Sequence, residues 1–167
     1  MRSSLTSCLT VIARECNAPW DQIGVQAFVV TGFWRKRQVR LARIRLSSIP
    51  SSGVTWERGK GVIGMCWETR NTQWAQLDEP AFSDLESEPE YRWAMLDRKR
   101  TYGLSFNDYR ALGRKYGTIA AVPIMSGDSY IGCITLDTPS GVKVERSEVA
   151  VQQLYATADV VRRLLKR

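Results

Sequence analysis

Apolar positions recur at spacings of three and four over residues 4–16, where Leu5, Cys8, Leu9, Ile12 and Cys16 make one stripe. That period predicts a helix with a single buried face. Pro19 ends it, because proline cannot continue the hydrogen-bond ladder. Residues 25–34 and 39–49 are rich in β-branched and aromatic side chains and predict two strands, joined by the charged connector Arg35-Lys36-Arg37-Gln38. A Ser/Pro-rich loop over 47–53 leads to a glycine-rich stretch, Arg58-Gly59-Lys60-Gly61-Val62-Ile63-Gly64. It predicts a tight turn and a short helix, with Val62, Met65 and Cys66 inward. Residues 72–77 predict a short strand carrying Trp74. Residues 80–116 are the least regular part, with helices over about 89–99 and 105–115. Last comes a long amphipathic helix over 145–167, with Ala150, Leu154, Ala158, Val161 and Leu165 in register. Val149, Val151, Val160 and Leu164 make its apolar face broader than one sheet contact needs.

The strongest local signal lies over residues 117–137, where two apolar runs flank Ser126-Gly127-Asp128-Ser129. This predicts a β-hairpin turning at Gly127-Asp128. If Ser126 pairs with Ser129, an unbroken register sets Thr118 opposite Asp137, Ala120 opposite Thr135, Val122 opposite Cys133 and Ile124 opposite Ile131. These eight then share one face. Thr118, Thr135 and Asp137 make the end of that face polar and suited to lining a cavity. Ile119, Ala121, Met125, Tyr130, Ile134 and Leu136 make the other face apolar and suited to helices. A slip of one residue would exchange the faces.

The chain has 167 residues, is 44% hydrophobic and carries a net charge of +7. These values predict one domain over residues 1–167 with a substantial core. No apolar run is long enough to span a membrane. Met1-Arg2-Ser3-Ser4-Leu5 does not read as a signal peptide, and the four scattered cysteines suit a reducing cytoplasm. Histidine is absent, which excludes Ser-His-Asp and Cys-His catalysis and His-ligated metals. The glycine-rich stretch is not a phosphate loop, since no Ser or Thr follows Lys60. The positive charge suits an anionic partner. Arg35, Lys36, Arg37, Arg40, Arg43 and Arg45 gather on the first strand pair, either as a solvated edge or as a surface for an acidic partner or nucleic acid, with Trp34 placed for base stacking.

Two motifs carry a resemblance to the GAF domain family. Gly59-Lys60-Gly61-Val62-Ile63-Gly64, followed by Thr69-Arg70-Asn71, is similar to that family's Gly-x-Gly-hydrophobic-hydrophobic-Gly segment. Ala120-Ala121-Val122-Pro123-Ile124, then Tyr130-Ile131-Gly132-Cys133-Ile134 and Asp137, resembles its paired strands around a Val-Pro step. The resemblance implies an α+β fold with a central antiparallel sheet of five to six strands. The N- and C-terminal helices would lie on one face, and residues 80–116 would form a helical lid over a pocket on the other. Trp74, Trp93, Tyr102, Phe106, Tyr116, Thr118, Thr135 and Asp137 are the expected ligand-binding residues, their rings offering platforms for a flat ligand.

The expected function is that of a non-catalytic sensor or regulatory domain. It would bind a small ligand under the lid, signal through the terminal helices, and form a homodimer there. The chain departs from the cyclic-nucleotide-binding pattern, having no Asn-Lys step over 138–144, and no histidine is available for bilin attachment. It shares Gly-Lys-Gly-Val with free methionine sulfoxide reductases, but Ile63 stands where their cysteine follows, with Cys66 three positions on. Two alternatives stay open: a reductase using Cys66 and Cys133, and an interaction module docking an acidic partner at Arg40, Arg43 and Arg45.

Overall fold

A computed structural model describes residues 1–47, 53–77, 90–112 and 115–166. Most of the expected Ser/Pro loop, the start of the expected lid and the final residue lie outside these. Helix α1 (Arg2–Glu15) and a 3₁₀ turn (Trp20–Gln22) precede strands β1 (Gly24–Thr31) and β2 (Arg37–Ile44). Then follow α2 (Gly61–Thr69), β3 (Gln73–Gln76), the short helices α3 (Glu90–Met95), α4 (Arg98–Thr101) and α5 (Phe106–Leu112), the hairpin β4 (Tyr116–Ser126) and β5 (Ser129–Pro139), and α6 (Glu148–Leu165). The five strands form one antiparallel sheet in the order β2-β1-β5-β4-β3.

The terminal helices cover one face. Leu5, Cys8, Leu9 and Ile12 of α1 and Ala150, Leu154, Ala158 and Val161 of α6 pack on Val25, Ala27, Ala120, Val122, Ile134 and Leu136. These are the two stripes that the helical period picks out. Helix α6 begins three residues later than expected because the Ser147 hydroxyl accepts from the Ala150 N–H, the geometry of an N-cap. On the opposite face α2 lays Val62, Ile63 and Cys66 against Phe28, Ala75, Ile119, Ala121 and Cys133.

The hairpin turns where expected, with Ser126 opposite Ser129, but its register breaks within two residues. Met125 still pairs with Tyr130, whereas Ile124 pairs with Gly132, so Ile131 is the extra residue of a bulge. From there β4 is displaced by one position. Asp137 lies opposite Ile119 and Thr135 opposite Ala121, while Ala120 and Val122 lie opposite Leu136 and Ile134. Beyond the bulge the assignment of β5 faces holds: Cys133, Thr135 and Asp137 lie on the α2 side, Ile134 and Leu136 under the terminal helices, whereas ahead of it Tyr130 lies on the α2 side and Ile131 under the terminal helices, the reverse of the expectation. For β4 the faces are exchanged. Ile119 and Ala121 face α2, and Ala120, Val122 and Ile124 face the terminal helices.

Gly132 is tied to this break. A Cβ there would sit 2.1 Å from the Phe28 carbonyl oxygen and 3.1 Å from the Val29 Cα, both backbone atoms of β1. The Gly132→Ala chain is expected to lose about 1–3 kcal/mol of stability in urea unfolding, because two central strands must separate. A neutral result would mean the strands do not approach so closely.

Pro123 removes a backbone donor, and its position accounts for that. Ser126 pairs with Ser129 across the turn, and antiparallel N–H groups alternate between neighbours. Odd-numbered residues of β4 therefore point their N–H away from β5, toward β3. The β3 pairing stops at Ala121 opposite Gln73, so the missing donor lies one step beyond the partner strand. That is an edge position, where proline costs no ladder bond.

Candidate functional site

Side chains on the α2-facing side of the sheet form two polar groups. Toward the β4–β5 turn, Gln38 of β2 is buried and holds a small network. Its Oε1 accepts from the Tyr130 hydroxyl at 2.9 Å and from the Cys133 thiol at 3.3 Å, while its Nε2 donates to the Ile63 carbonyl at 3.2 Å. Trp67 stacks on Tyr130 with ring centroids 5.8 Å apart. Cys66 and Cys133 are both wholly buried. Burial pushes the Cys133 thiol up to about 12, and burial followed by the proximity of Cys133 pushes Cys66 up as well. Both stay protonated thiols at neutral pH, the opposite of the lowered pKa a nucleophilic cysteine needs.

The second group lies at the other end of the same face, where two cross-strand rows meet. One row runs Arg43, Gln26, Thr135 and Ala121 across β2, β1, β5 and β4; Gly24, Asp137 and Ile119 begin the next. Arg45 follows β2 and reaches over Gly24 to Asp137. Its Nη2 donates to the Asp137 carbonyl oxygen at 3.1 Å and is ion-paired with the Asp137 carboxylate. The Arg45 and Asp137 side chains are 1% and 5% exposed. Gln26 Nε2 donates to Asp137 Oδ1 at 2.8 Å. Gly24 is required here, since a Cβ at that position would lie 2.4 Å from Arg45 Nε and 2.7 Å from Asp137 Oδ1.

Burial, then the nearby Arg43, pulls the Arg45 guanidinium down to about 10. It remains cationic at neutral pH, and it sits 6.0 Å from the centre of the Tyr116 ring. Several polar atoms in this group are buried without a hydrogen-bond partner: Arg43 Nε, Arg45 Nε and Nη1, Thr135 Oγ1 and, apart from its ion pair with Arg45, Asp137 Oδ2. Buried donors in that state are uncommon and costly. Three of these atoms are guanidinium nitrogens, which can only donate, and the one carboxylate beside them is already paired with Arg45.

The eight expected ligand residues fall into three places. Thr135, Asp137 and Tyr116 stand in the second polar group or against it, and Tyr102 packs on the same face. Trp93 and Phe106 belong to a separate cluster with Tyr109, in which Trp93 stacks on Tyr109 at 4.4 Å and donates from Nε1 to the Leu104 carbonyl. Trp74 and Thr118 lie across the sheet, and the bulge is the reason. Both bond to Val144 ahead of α6: Trp74 Nε1 donates to its carbonyl at 3.3 Å, and Thr118 Oγ1 accepts from its N–H at 3.0 Å. They brace the connection to the terminal helix and line nothing beneath the lid.

The described part of the expected lid is fastened to α2. Lys60 pairs with Asp108 at 2.8 Å, Arg98 pairs with Glu68 at 3.0 Å, and the Gly61 N–H donates to the Tyr102 carbonyl at 2.7 Å. On the terminal-helix side, a cleft of about 230 Å³ opens between Pro123, Ile124, Met125 and α6 residues Tyr155, Ala158, Asp159 and Arg162. Arg43, Arg45, Gln26 and Gly24 were not among the expected ligand residues. Arg43 and Arg45 belong to the expected basic surface, a solvated edge or a docking face, yet the Arg45 side chain faces inward and is buried, so it is not available to a docking partner. Gly24, at the start of the β-rich run, is the signal that could have marked the spot, because glycine in a strand often means close approach by another group.

No family model matches this sequence, and no curated protein sequence is similar to it. Solved structures are similar in fold. The GAF domain from Acinetobacter phosphoenolpyruvate-protein phosphotransferase superposes with a TM-score of 0.57 at 12% identity, covering 99% of this chain and 92% of its own. The type II free methionine-R-sulfoxide reductase from Thermoplasma acidophilum gives 0.56 at 16% identity, covering 98% and 90%. The NreA protein from Staphylococcus aureus, mutated in its nitrate binding site, gives 0.52 at 12%, covering 88% and 91%. The fold is therefore GAF-like, an α+β architecture around a five-stranded antiparallel sheet. The expectation of a non-catalytic chain is corrected: the Thermoplasma protein is an enzyme and has this fold, so the fold does not separate sensors from catalysts. No helix among the described residues is long and apolar enough to cross a membrane.

Proposed function

We propose that this chain is a GAF-type ligand-binding domain whose ligand is a small oxyanion or carboxylate. It would sit on the sheet beside Arg43, Arg45 and Thr135, with Tyr116 and Tyr102 as walls and residues 90–112 as part of the cover. The observation that carries this reading is Arg45, whose side chain is 1% exposed while its Nε and Nη1 have no hydrogen-bond partner. Asp137 occupies only one arm of that guanidinium. Acceptor oxygens from an anion would satisfy the remaining donors with charge-assisted bonds. That NreA carries a nitrate binding site on this fold supports the same class of ligand.

The reductase alternative would need a thiolate, and the buried, upward-shifted thiols of Cys66 and Cys133 give it no support. A regulatory role fits the position of the site. Asp137 is followed by Thr138, whose hydroxyl accepts from the Thr118 N–H, and Thr118 in turn holds Val144 ahead of α6. A ligand that moves the end of β5 would move the start of the terminal helix. The exposed Val160, Leu164 and Leu165 on that helix are the contact between copies in this reading. Sedimentation that stays monomeric at every concentration removes that part.

The test is a thermal-shift and calorimetry panel of nitrate, sulfate, phosphate and small carboxylates. One of these is expected to stabilise the protein. Thr135→Val, which keeps the Arg45–Asp137 pair, is expected to weaken it by about tenfold, the value of one hydrogen bond to a charged group. If no anion stabilises the unmodified chain, the reading fails.

A further inference from the structure

The turn between β1 and β2 carries Phe33 and Trp34, which are 85% and 91% exposed. No other large apolar side chain among the described residues is more exposed than these two. They lie edge to face, with ring centroids 5.4 Å apart and planes at 87°. Arg35, Lys36 and Arg37 follow directly, and Arg40 stands exposed on β2 behind them. Val39 and Leu41, on the same edge strand, are 40% and 44% exposed. From residue 22 to residue 56 the sequence contains no Asp or Glu. The neighbouring β4–β5 turn, at the same end of the sheet, holds one acid, Asp128. The tip lies roughly 24 Å along β1 from Gly24, at the strand rise of about 3.4 Å per residue, so the Arg45–Asp137 site is not involved.

Aromatic rings kept at a protruding tip in water contribute nothing to the core, and a collar of cations around them selects for a partner both apolar and negatively charged. We propose that this hairpin tip is an anchor to the surface of an anionic phospholipid bilayer. Phe33 and Trp34 enter the interfacial layer, where indole and phenyl rings are favoured. Arg35, Lys36 and Arg37 contact the phosphate headgroups, each adding to the attraction at the negatively charged surface. A single-stranded nucleic acid fits less well. Successive bases stack on open ring faces along a groove, whereas an edge-to-face pair covers one face of one ring with the rim of the other.

Co-sedimentation of the full chain with lipid vesicles tests this. The chain is expected to bind phosphatidylcholine vesicles containing about one third phosphatidylserine, and not phosphatidylcholine alone, with binding weakened by salt. Phe33→Ser/Trp34→Ser is expected to lower the partition coefficient by at least about tenfold with all cations retained. Arg35→Gln/Lys36→Gln/Arg37→Gln is expected to lower it by about a hundredfold at low salt. All five substituted positions are exposed, so the thermal midpoint should hold in both variants. The anchor is ruled out by any of three results: no partition into either vesicle, full partition by the double serine variant, or single-stranded DNA displacing the vesicles through Trp34.

Discussion

Asp137→Ala is expected to lower the unfolding free energy by about 3–5 kcal/mol, the usual cost of removing one partner of a buried ion pair. Its size comes from what is left behind. Arg45 is 1% exposed and pairs with no second carboxylate among the described residues. Without Asp137 a full positive charge stays in the interior, and Gln26 Nε2 loses its acceptor as well. Replacing both members of the pair with leucine is expected to recover most of the loss, because a well-packed apolar pair is often as stable as a buried ionic one. Urea unfolding of Arg45→Leu, Asp137→Leu and the double leucine variant closes a mutant cycle whose coupling energy reports the pair directly. If Asp137→Ala costs no more than a surface substitution, the pair is not buried as described and the site built on it is wrong.

Stability is expected to fall steeply on the alkaline side, by about 4 kcal/mol between pH 8 and pH 10. Three thiols account for most of it, and the Tyr130 hydroxyl, also pushed up by burial, adds to it as the pH nears 10. Burial raises Cys8 from 9.0 to about 11 and Cys133 from 9.0 to about 12, and Cys66 is raised as well. Each folded value lies above the unfolded one, so the stabilisation is complete below pH 9. Above that the unfolded chain releases protons the folded chain keeps, and stability is lost until the folded values are reached. At pH 10 this amounts to about 1.4 kcal/mol per thiol. Arg45, pulled down to about 10, acts in the other direction, but only as the pH passes that value. Cys66→Ala compared with the unmodified chain across a pH series should flatten the slope by roughly one third. A slope unchanged by that variant would mean the thiols are open to water.

Most of the architecture could be read from residue pattern. The stripe of Leu5, Cys8, Leu9 and Ile12, the Gly127-Asp128 turn and the broad apolar face of the last helix each follow from a local period or a local backbone demand, and each is where it was expected. What was not legible was the one-residue slip at Ile131. A bulge depends on how three strands pack at once, and only Gly132 hinted at it by lacking a side chain where the β1 backbone passes. That slip decided the site. It kept Thr135 and Asp137 on the α2-facing side and carried Thr118 to the other, where Trp74 of β3 also lies and both bond to Val144. The Arg45–Asp137 pair was missed for a related reason. It joins residues 92 apart, and a basic residue on an edge strand looks solvent-facing until the glycine across from it is seen to leave room.

Pro123 bears on how this protein behaves when crowded. Beyond Ala121 the outer rim of β4 has no neighbouring strand among the described residues, and a bare rim of amides invites a foreign strand to add on. Replacing the central donor with a ring nitrogen that carries no hydrogen spoils that template, so the rim repels self-association without any charge being placed there.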